Sequence, residues 1–317
     1  MPTRRHLISL TATAAGLAAA GGLVPGRGEN KTQARTRAVA TFSILGDLVR
    51  NVGGERPELA TLVGPNGDVH VYAPTPADVK TIAAADIVFV NGLGLEGWVD
   101  RLIAASGTHA AVVVASQGVK PRSGGTGRDR AAADPHAWQS VANAKIYVGN
   151  IRDGLIATDP GSEDVYRANA TGYLAALEML EAEIKTAIEA MPVSRRKVIT
   201  THTAFGYFGD AYGIEFIAPE GLSTDADPSA RDIARLIEQI RREKIPAVFI
   251  ENITDPRLLQ RIAAETGATI GGTLYSDALS APDGPAATYI DMMRSNVREL
   301  TKGWRADAEL IARLALA

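Results

Sequence analysis

One apolar stripe of helical period, set between two series of short strand-like runs, restricts this chain more than any other feature. Tyr166, Ala170, Tyr173, Leu177, Leu180, Ile184, Ala187 and Met191 recur at alternating spacings of four and three residues, the period that returns side chains to one helix face. The stripe predicts a helix roughly 40 Å long. Ahead of it, Val39–Ser43, Leu59–Val63, Ile87–Val90 and Ala111–Ala115 are β-branched runs separated by helical patterns. Behind it, Val198–Thr201, Ile214–Ala218, Ala247–Glu251 and Thr269–Leu274 repeat the arrangement. Such alternation predicts an α/β fold of two lobes, each a mostly parallel sheet flanked by helices. The long helix is either internal to one lobe or the single connector of both, and strands on both sides favour the connector. The expected organisation is a leader over 1–36, a first lobe over 37–160, the connecting helix over 161–192 and a second lobe over 193–317.

Charge and composition then narrow the partners. Lys and Arg number 33 against 36 Asp and Glu, without the clustered basic residues that phosphate backbones require, so nucleic acid is excluded. The chain has no Cys, which removes thiolate metal sites and an N-terminal lipid anchor and leaves His, Asp and Glu as metal ligands. Arg4-Arg5 opens a weakly apolar Ala/Gly-rich run from Leu7 to Val24, with small residues Ala18-Ala19-Ala20 near its end. This reads as an export signal of twin-arginine or general secretory type. A membrane anchor is disfavoured because Gly and Thr interrupt a run barely long enough to span. Removing residues 1–36 takes away five basic residues and Glu29, leaving 28 − 35 = −7. An acidic mature chain suits a cation carrier.

Thr75-Pro76, Asp134-Pro135, Asp227-Pro228 and Asp255-Pro256 each read as a capping residue followed by Pro at the first helical position. Lys120–Ala133, rich in Gly, Arg and Ser without an apolar period, reads as a mobile surface loop.

Of five histidines, His6 belongs to the leader and His109 lies in a Ser-Gly-Thr-His loop where a solvated side chain is expected. His70 follows the run ending at Val63, His202 the run ending at Thr201, and Asp277 the run ending near Leu274. These are strand C-terminal ends, where open α/β sheets form their ligand crevice. His136 stands in the first turn expected after Asp134-Pro135. Each histidine alone is as readily structural or exposed; together, two from each half of the chain, they would make a four-ligand site between lobes. Asp134, Glu251 and Asn252 flank that crevice and either orient the imidazoles or merely cap a helix and end a strand.

Thr75–Lys80, Val90–Trp98, Asp134–Trp138, His202–Phe208 and Tyr289–Met293 resemble, in order, motifs of the zinc- and manganese-binding receptors of bacterial ABC importers, the TroA-like or ZnuA-like group. The similarity runs from about Arg37 to the C-terminus. It implies two α/β lobes joined by one long helix, with His70 and His136 as first-lobe ligands and His202 and Asp277 as second-lobe ligands. It also implies a cognate ABC permease as partner, with a periplasmic metallochaperone as a further candidate, and a monomeric mature chain without stable membrane insertion. Three imidazoles and one carboxylate favour Zn²⁺ over the harder Mn²⁺. Against zinc, Lys120–Ala133 lacks the His-rich loop of many zinc members, and a bidentate Asp277 would raise the coordination number enough for manganese. Because ligand imidazoles must be neutral, affinity is expected to fall as pH drops through about 6.

Three other readings compete. Gly92–Gly97 matches G-x-G-x-x-G, but it follows the third strand and no acid for a ribose hydroxyl ends the next one; a tight strand-to-helix turn is preferred. A zinc hydrolase would use the same ligand types with an open position for water, yet no H-E-x-x-H, G-x-S-x-G or P-loop motif is present. A surface adhesin has no positive sign. The expected function is a binding protein and not an enzyme.

Overall fold

The computed structural model describes residues 35–124 and 132–314, with side chains described to Lys302. The leader expected over 1–36 therefore lies, except for Arg35 and Thr36, outside the described residues. No helix among the described residues is long and apolar enough to cross a membrane.

The first half builds β1 (Arg37–Phe42), β2 (Glu58–Val63), β3 (Ile87–Val90) and β4 (Ala111–Val114), all parallel, in the order β2-β1-β3-β4. The second builds β5 (Lys197–Ile199), β6 (Glu215–Ile217), β7 (Ala247–Glu251) and β8 (Thr269–Leu274), also parallel, in the same relative order β6-β5-β7-β8. Each sheet reverses its winding direction after the second strand, which opens a crevice beyond the strand C-terminal ends.

Helices α1 (Ser43–Gly53), α2 (Pro76–Ala84), α3 (Val99–Ser106) and α4 (Val141–Thr158) flank the first sheet. The second carries α6 (Gly206–Tyr212), α7 (Ala230–Glu243), α8 (Arg257–Thr266) and α9 (Tyr289–Leu314). Between them runs α5 (Glu163–Glu189), whose 27 residues bury Tyr166, Ala170, Tyr173, Leu177, Leu180, Ile184 and Ile188. The expected stripe is the buried face, except that Ile188 takes the last turn, Ala187 sits half-buried beside it, and Met191 is buried past the helix end at Glu189. Helix α5 packs on α1 and α4 of the first half and on α6 and α9 of the second, so the connector reading holds. One apolar core runs from Phe42, Leu45 and Phe89 through Leu177 and Leu180 to Phe205, Phe208 and Tyr289. A separate cluster of Ile199, Leu236, Ile240, Val248, Leu259 and Ile262 holds α7 and α8 to the second sheet.

Two of the four Pro-marked helix starts need correction. Thr75 does cap α2: its hydroxyl accepts from Asp78 N, and Asp78 Oδ2 accepts from Thr75 N at 2.6 Å, a reciprocal box. Asp255 Oδ1 accepts from Arg257 N at 2.9 Å at the head of α8, which begins at Arg257 with Pro256 at the cap position, one residue later than expected. Asp227-Pro228 starts nothing, because Ser229 is the residue that caps α7. Asp134-Pro135 leads into a single 3₁₀ turn, Ala137–Gln139, and α4 begins only at Val141. The side chain of Asp134 is taken up by His136 instead.

The flanks of the expected mobile loop are tied down. Ser123 bridges Ala133, Gly124 N donates to Ala132 O, and Asp134 N donates to Arg122 O; residues 125–131 lie outside the described residues. The glycine-rich turn after β3 is a structural turn. Gly92, Leu93 and Gly94 have φ of 82°, 56° and 82°. The buried Glu96 carboxylate accepts from Asn91 N, Gly92 N and the Thr41 hydroxyl. A carboxylate already fills the place a dinucleotide phosphate would need.

Candidate metal centre

Each of the four expected ligands is delivered by local backbone chemistry. His70 sits in the loop after β2, where Asp68 Oδ1 accepts its backbone N–H at 2.9 Å, an Asx turn. His136 precedes the 3₁₀ turn, and Asp134 Oδ1 accepts both its N–H at 3.0 Å and, at 2.8 Å, its Nδ1. His202 lies three residues past β5. Its backbone N–H and that of Thr201 both donate to Glu251 Oε1, while Glu251 Oε2 lies 2.7 Å from its Nδ1. Asp277 follows β8 in a segment clamped from two sides. Asn296 exchanges hydrogen bonds with the Tyr275 backbone, and Trp138 Nε1 and Gln139 Nε2 both donate to Ser276 O, at 3.0 and 2.8 Å.

These deliveries converge. His70, His136, His202 and Asp277 each bring one ligand atom within 4.8 Å of the others. Asp277 Oδ2 is 3.1 Å from the Nε2 of both His70 and His202, Asp277 Oδ1 is 3.6 Å from His136 Nε2, and the Nε2 atoms of His70 and His136 are 3.2 Å apart. A tetrahedron with metal–ligand bonds near 2.1 Å has edges of about 3.4 Å, so these separations are those of donors around one ion. His136, His202 and Asp277 are fully buried, and the His70 side chain is 4% exposed. Neither oxygen of the buried Asp277 receives a hydrogen bond. A buried carboxylate left without donors is costly unless a cation meets it, which makes the donor set fit a divalent ion.

The electrostatics agree. Burial alone would raise the Asp277 carboxyl, but His202 and His136 hold it well below the usual carboxylate range. Burial would lower the His202 imidazole, and the charges of Glu251 and Asp277 lift it well above its ordinary value instead. Asp134 is likewise held down against its burial by His136 and Arg122.

Of the three flanking candidates, Asp134 and Glu251 do face imidazole Nδ1 atoms, leaving each Nε2 aimed at the site. Asn252 does not. Its Nδ2 reaches Asn66 Oδ1 at 3.0 Å and Ala278 O at 3.3 Å, so it ties the two lobes and touches no ligand side chain. His109 is exposed in its loop, as expected. Sequence reasoning missed the Trp138–Gln139 grip on Ser276 O and the side chain of Arg122. Neither has a local signal: Trp138 and Gln139 show their burial only in the fold, and an Arg in a Gly/Ser-rich loop looks solvated.

A fold of two parallel-sheet lobes on one long helix, with a buried three-His, one-Asp cluster between them, defines a receptor for a divalent transition metal ion. Residues 38–303 match the family described as zinc-uptake complex component A, periplasmic, and the chain belongs to it: the periplasmic metal-binding receptors of ABC transporters, solute-binding proteins rather than enzymes. It is 34% identical over 268 residues to the manganese-binding lipoprotein MntA of Halalkalibacterium halodurans, covering 84% of this chain and 88% of that one. Among solved structures it is similar to a manganese-bound periplasmic metal-binding protein from Candidatus Liberibacter asiaticus. That match has a TM-score of 0.77 at 31% identity and covers 85% of this chain and 99% of the other. The periplasmic zinc-binding protein TroA from Treponema pallidum gives a TM-score of 0.80 at 29% identity, covering 84% and 98%.

Proposed function

We propose that this protein captures Mn²⁺ through His70, His136, His202 and Asp277 and hands it to a cognate ABC permease, with Zn²⁺ as a tight-binding competitor. The observation that carries this reading is the placement of both Asp277 oxygens among the three imidazoles. Two oxygens and three nitrogens make five donors, more than the four that zinc takes in a closed site, and the added oxygen suits the harder ion. The zinc expectation rested on counting nitrogens. The MntA relative and the manganese-bound structure support manganese as the cargo, while TroA keeps zinc as the competitor. Intrinsic affinity is no guide to cargo here, because any nitrogen-rich site holds zinc at least as tightly as manganese. We assign the first lobe to residues 37–160, the connector to 161–192 and the second lobe to 193–317.

A competition titration of the chelator-stripped mature chain with both metals, paired with metal uptake by cells carrying only this receptor, tests the reading. One ion of either metal per chain with manganese accumulation is expected. Zinc accumulation without manganese would return the cargo to zinc, and binding of neither would remove the ligand set. Ligand imidazoles must be neutral, so affinity is expected to fall as pH drops through about 6.

A further inference from the structure

Arg122 joins two elements that each govern a ligand. Its Nη1 donates to the buried Asp134 Oδ2 at 3.0 Å, and the other oxygen of that carboxylate holds His136 Nδ1. Its Nε donates to Asp210 Oδ2 at 2.9 Å, and its backbone N–H donates to the Tyr207 hydroxyl at 3.0 Å. Asp210 and Tyr207 are both on α6, the helix that follows the His202 loop. The guanidinium therefore spans from the support of a first-lobe imidazole to the helix beside a second-lobe imidazole. The path exists because residue 206 is glycine. A Cβ there would overlap Arg122 Nη1 and come within 2.6 Å of Asp134 Oδ2. Gly206 is the first residue of α6 with no positive φ, so its missing side chain serves the passage of Arg122 and not a backbone turn.

We propose that Arg122 is a positioning residue that couples closure of the two lobes to the orientation of His136 and thereby slows metal release. The proposal rests on the ligand reading above. With Arg122 in place, Asp134 is fixed by a charged donor on one oxygen and aims His136 Nε2 at the ion with the other. When α6 withdraws, Arg122 loses Asp210 and Tyr207, and the support of His136 loosens together with the His202 side of the cleft. Closing and ligating are then one event.

The test compares Arg122→Met, Gly206→Ala, their double variant and Arg122→Lys. Readouts are Mn²⁺ release to excess chelator, Mn²⁺ association, the visible spectrum of the Co²⁺-loaded chain, and the unfolding temperatures of metal-free and metal-loaded forms. Arg122→Met is expected to release Mn²⁺ about tenfold faster, with association unchanged and the Co²⁺ ligand-field bands shifted. Gly206→Ala should do the same by expelling the guanidinium, the double variant should be no faster than either single one, and Arg122→Lys should recover part of the loss. Should Arg122→Met fail to fold, Gly206→Ala carries the comparison, since Ala is tolerated at a helix start. Unchanged release and spectra in a folded variant, or equal loss of unfolding temperature with and without metal at unchanged release, would leave Arg122 a plain lobe tie and overturn the coupling while sparing the ligand set. Failure of the unaltered chain to bind either ion would instead bring down the ligand reading, and the coupling with it.

Discussion

The two lobes share a strand order but not a quality of construction. In the first, β1 is buried at five of six positions and β3 at all four, and their side chains belong to the core that continues along α5. In the second, the corresponding central strands β5 and β7 are buried at two of three and three of five positions, while the edge strands are exposed in both sheets, β4 and β6 being nowhere fully buried. The register of β7 on β8 slips between Val248 and Ile250, next to Gly271, where a Cβ would collide with the Phe249 ring. Helices α7 and α8 rest on their own small cluster. The metal cluster inherits this asymmetry in an unexpected way. Asp277 belongs to the second lobe by sequence, yet Trp138 and Gln139 of the first hold its neighbour Ser276. Asp277 is thus held from both lobes, through Asn296 of α9 as well as Trp138 and Gln139, and His202 is the ligand whose support comes from the second sheet alone, through Glu251 of β7.

The largest expected effect breaks this comparison directly. His136→Ala and Asp277→Ala are expected to lose Mn²⁺ affinity by more than about 100-fold, beyond what removal of an outer support costs. His202→Ala should lose less, and His109→Ala nothing, by chelator competition at neutral pH. A His202 loss equal to that of His136 would show that the weaker sheet positions its ligand as firmly as the stronger one. Stability should sort the same way. Phe89→Ala opens a cavity in the continuous core and is expected to cost about 3–5 kcal/mol of the whole chain's unfolding free energy. Ile262→Ala, in the satellite cluster, should cost about 2 kcal/mol and leave metal affinity unchanged. Urea denaturation with amide exchange reads both, and α7 and α8 should exchange before α1 and α4.

A pH-dependent effect falls on the seam between the lobes. Asp47 of α1 is buried and accepts the backbone N–H of Tyr289, at the start of α9, at 2.9 Å. Burial pushes its carboxyl up from 3.8 to about 6. A raised acid favours its protonated form in the folded chain, so the contribution of Asp47 to stability is greatest below pH 3.8 and declines by about 3 kcal/mol as pH rises to about 6. Asp47→Asn keeps an acceptor for Tyr289 N without the charge. It is expected to raise stability by about 2 kcal/mol at pH 8 and to do nothing at pH 4. A gain of equal size at both pH values would mean that packing, not ionisation, is what changed.

How much of this was readable beforehand depends on whether the signal was periodic or relational. Strands and the connecting helix follow from side-chain period, and all eight strand runs lie within two or three residues of the observed strands. Three members of the cluster, His70, His202 and Asp277, follow from residue type at strand ends, and His136 from its place after Asp134-Pro135, in each case together with the family resemblance. What stayed hidden are contacts between segments far apart in the chain: Trp138 and Gln139 on Ser276, Asn252 on Asn66, Arg122 on Asp210. No local pattern distinguishes a buried donor that reaches across a cleft from one that faces water. The Pro-marked start at Asp134 failed for the opposite reason. Asp134 carries the signature of a helix cap, and its carboxylate is needed elsewhere, so a strong local preference yields to the metal site.

The smallest expected effect separates those local signatures from what the fold uses. Asp227 looks like the cap of α7, but Ser229 Oγ is the group that accepts Asp232 N, at 3.2 Å. Ser229→Ala is expected to cost about 1 kcal/mol, close to the cost of Thr75→Ala at the reciprocal box of α2, whereas Asp227→Ala should cost almost nothing. Because α7 rests on the satellite cluster, the Ser229 loss should show as faster exchange confined to α7 and α8. The Thr75 loss should be felt throughout the first lobe, whose core is continuous with the connector. If Ser229→Ala instead lowers protection in α1 and α4, the two lobes unfold as one cooperative unit and the asymmetry of their cores has no consequence for stability.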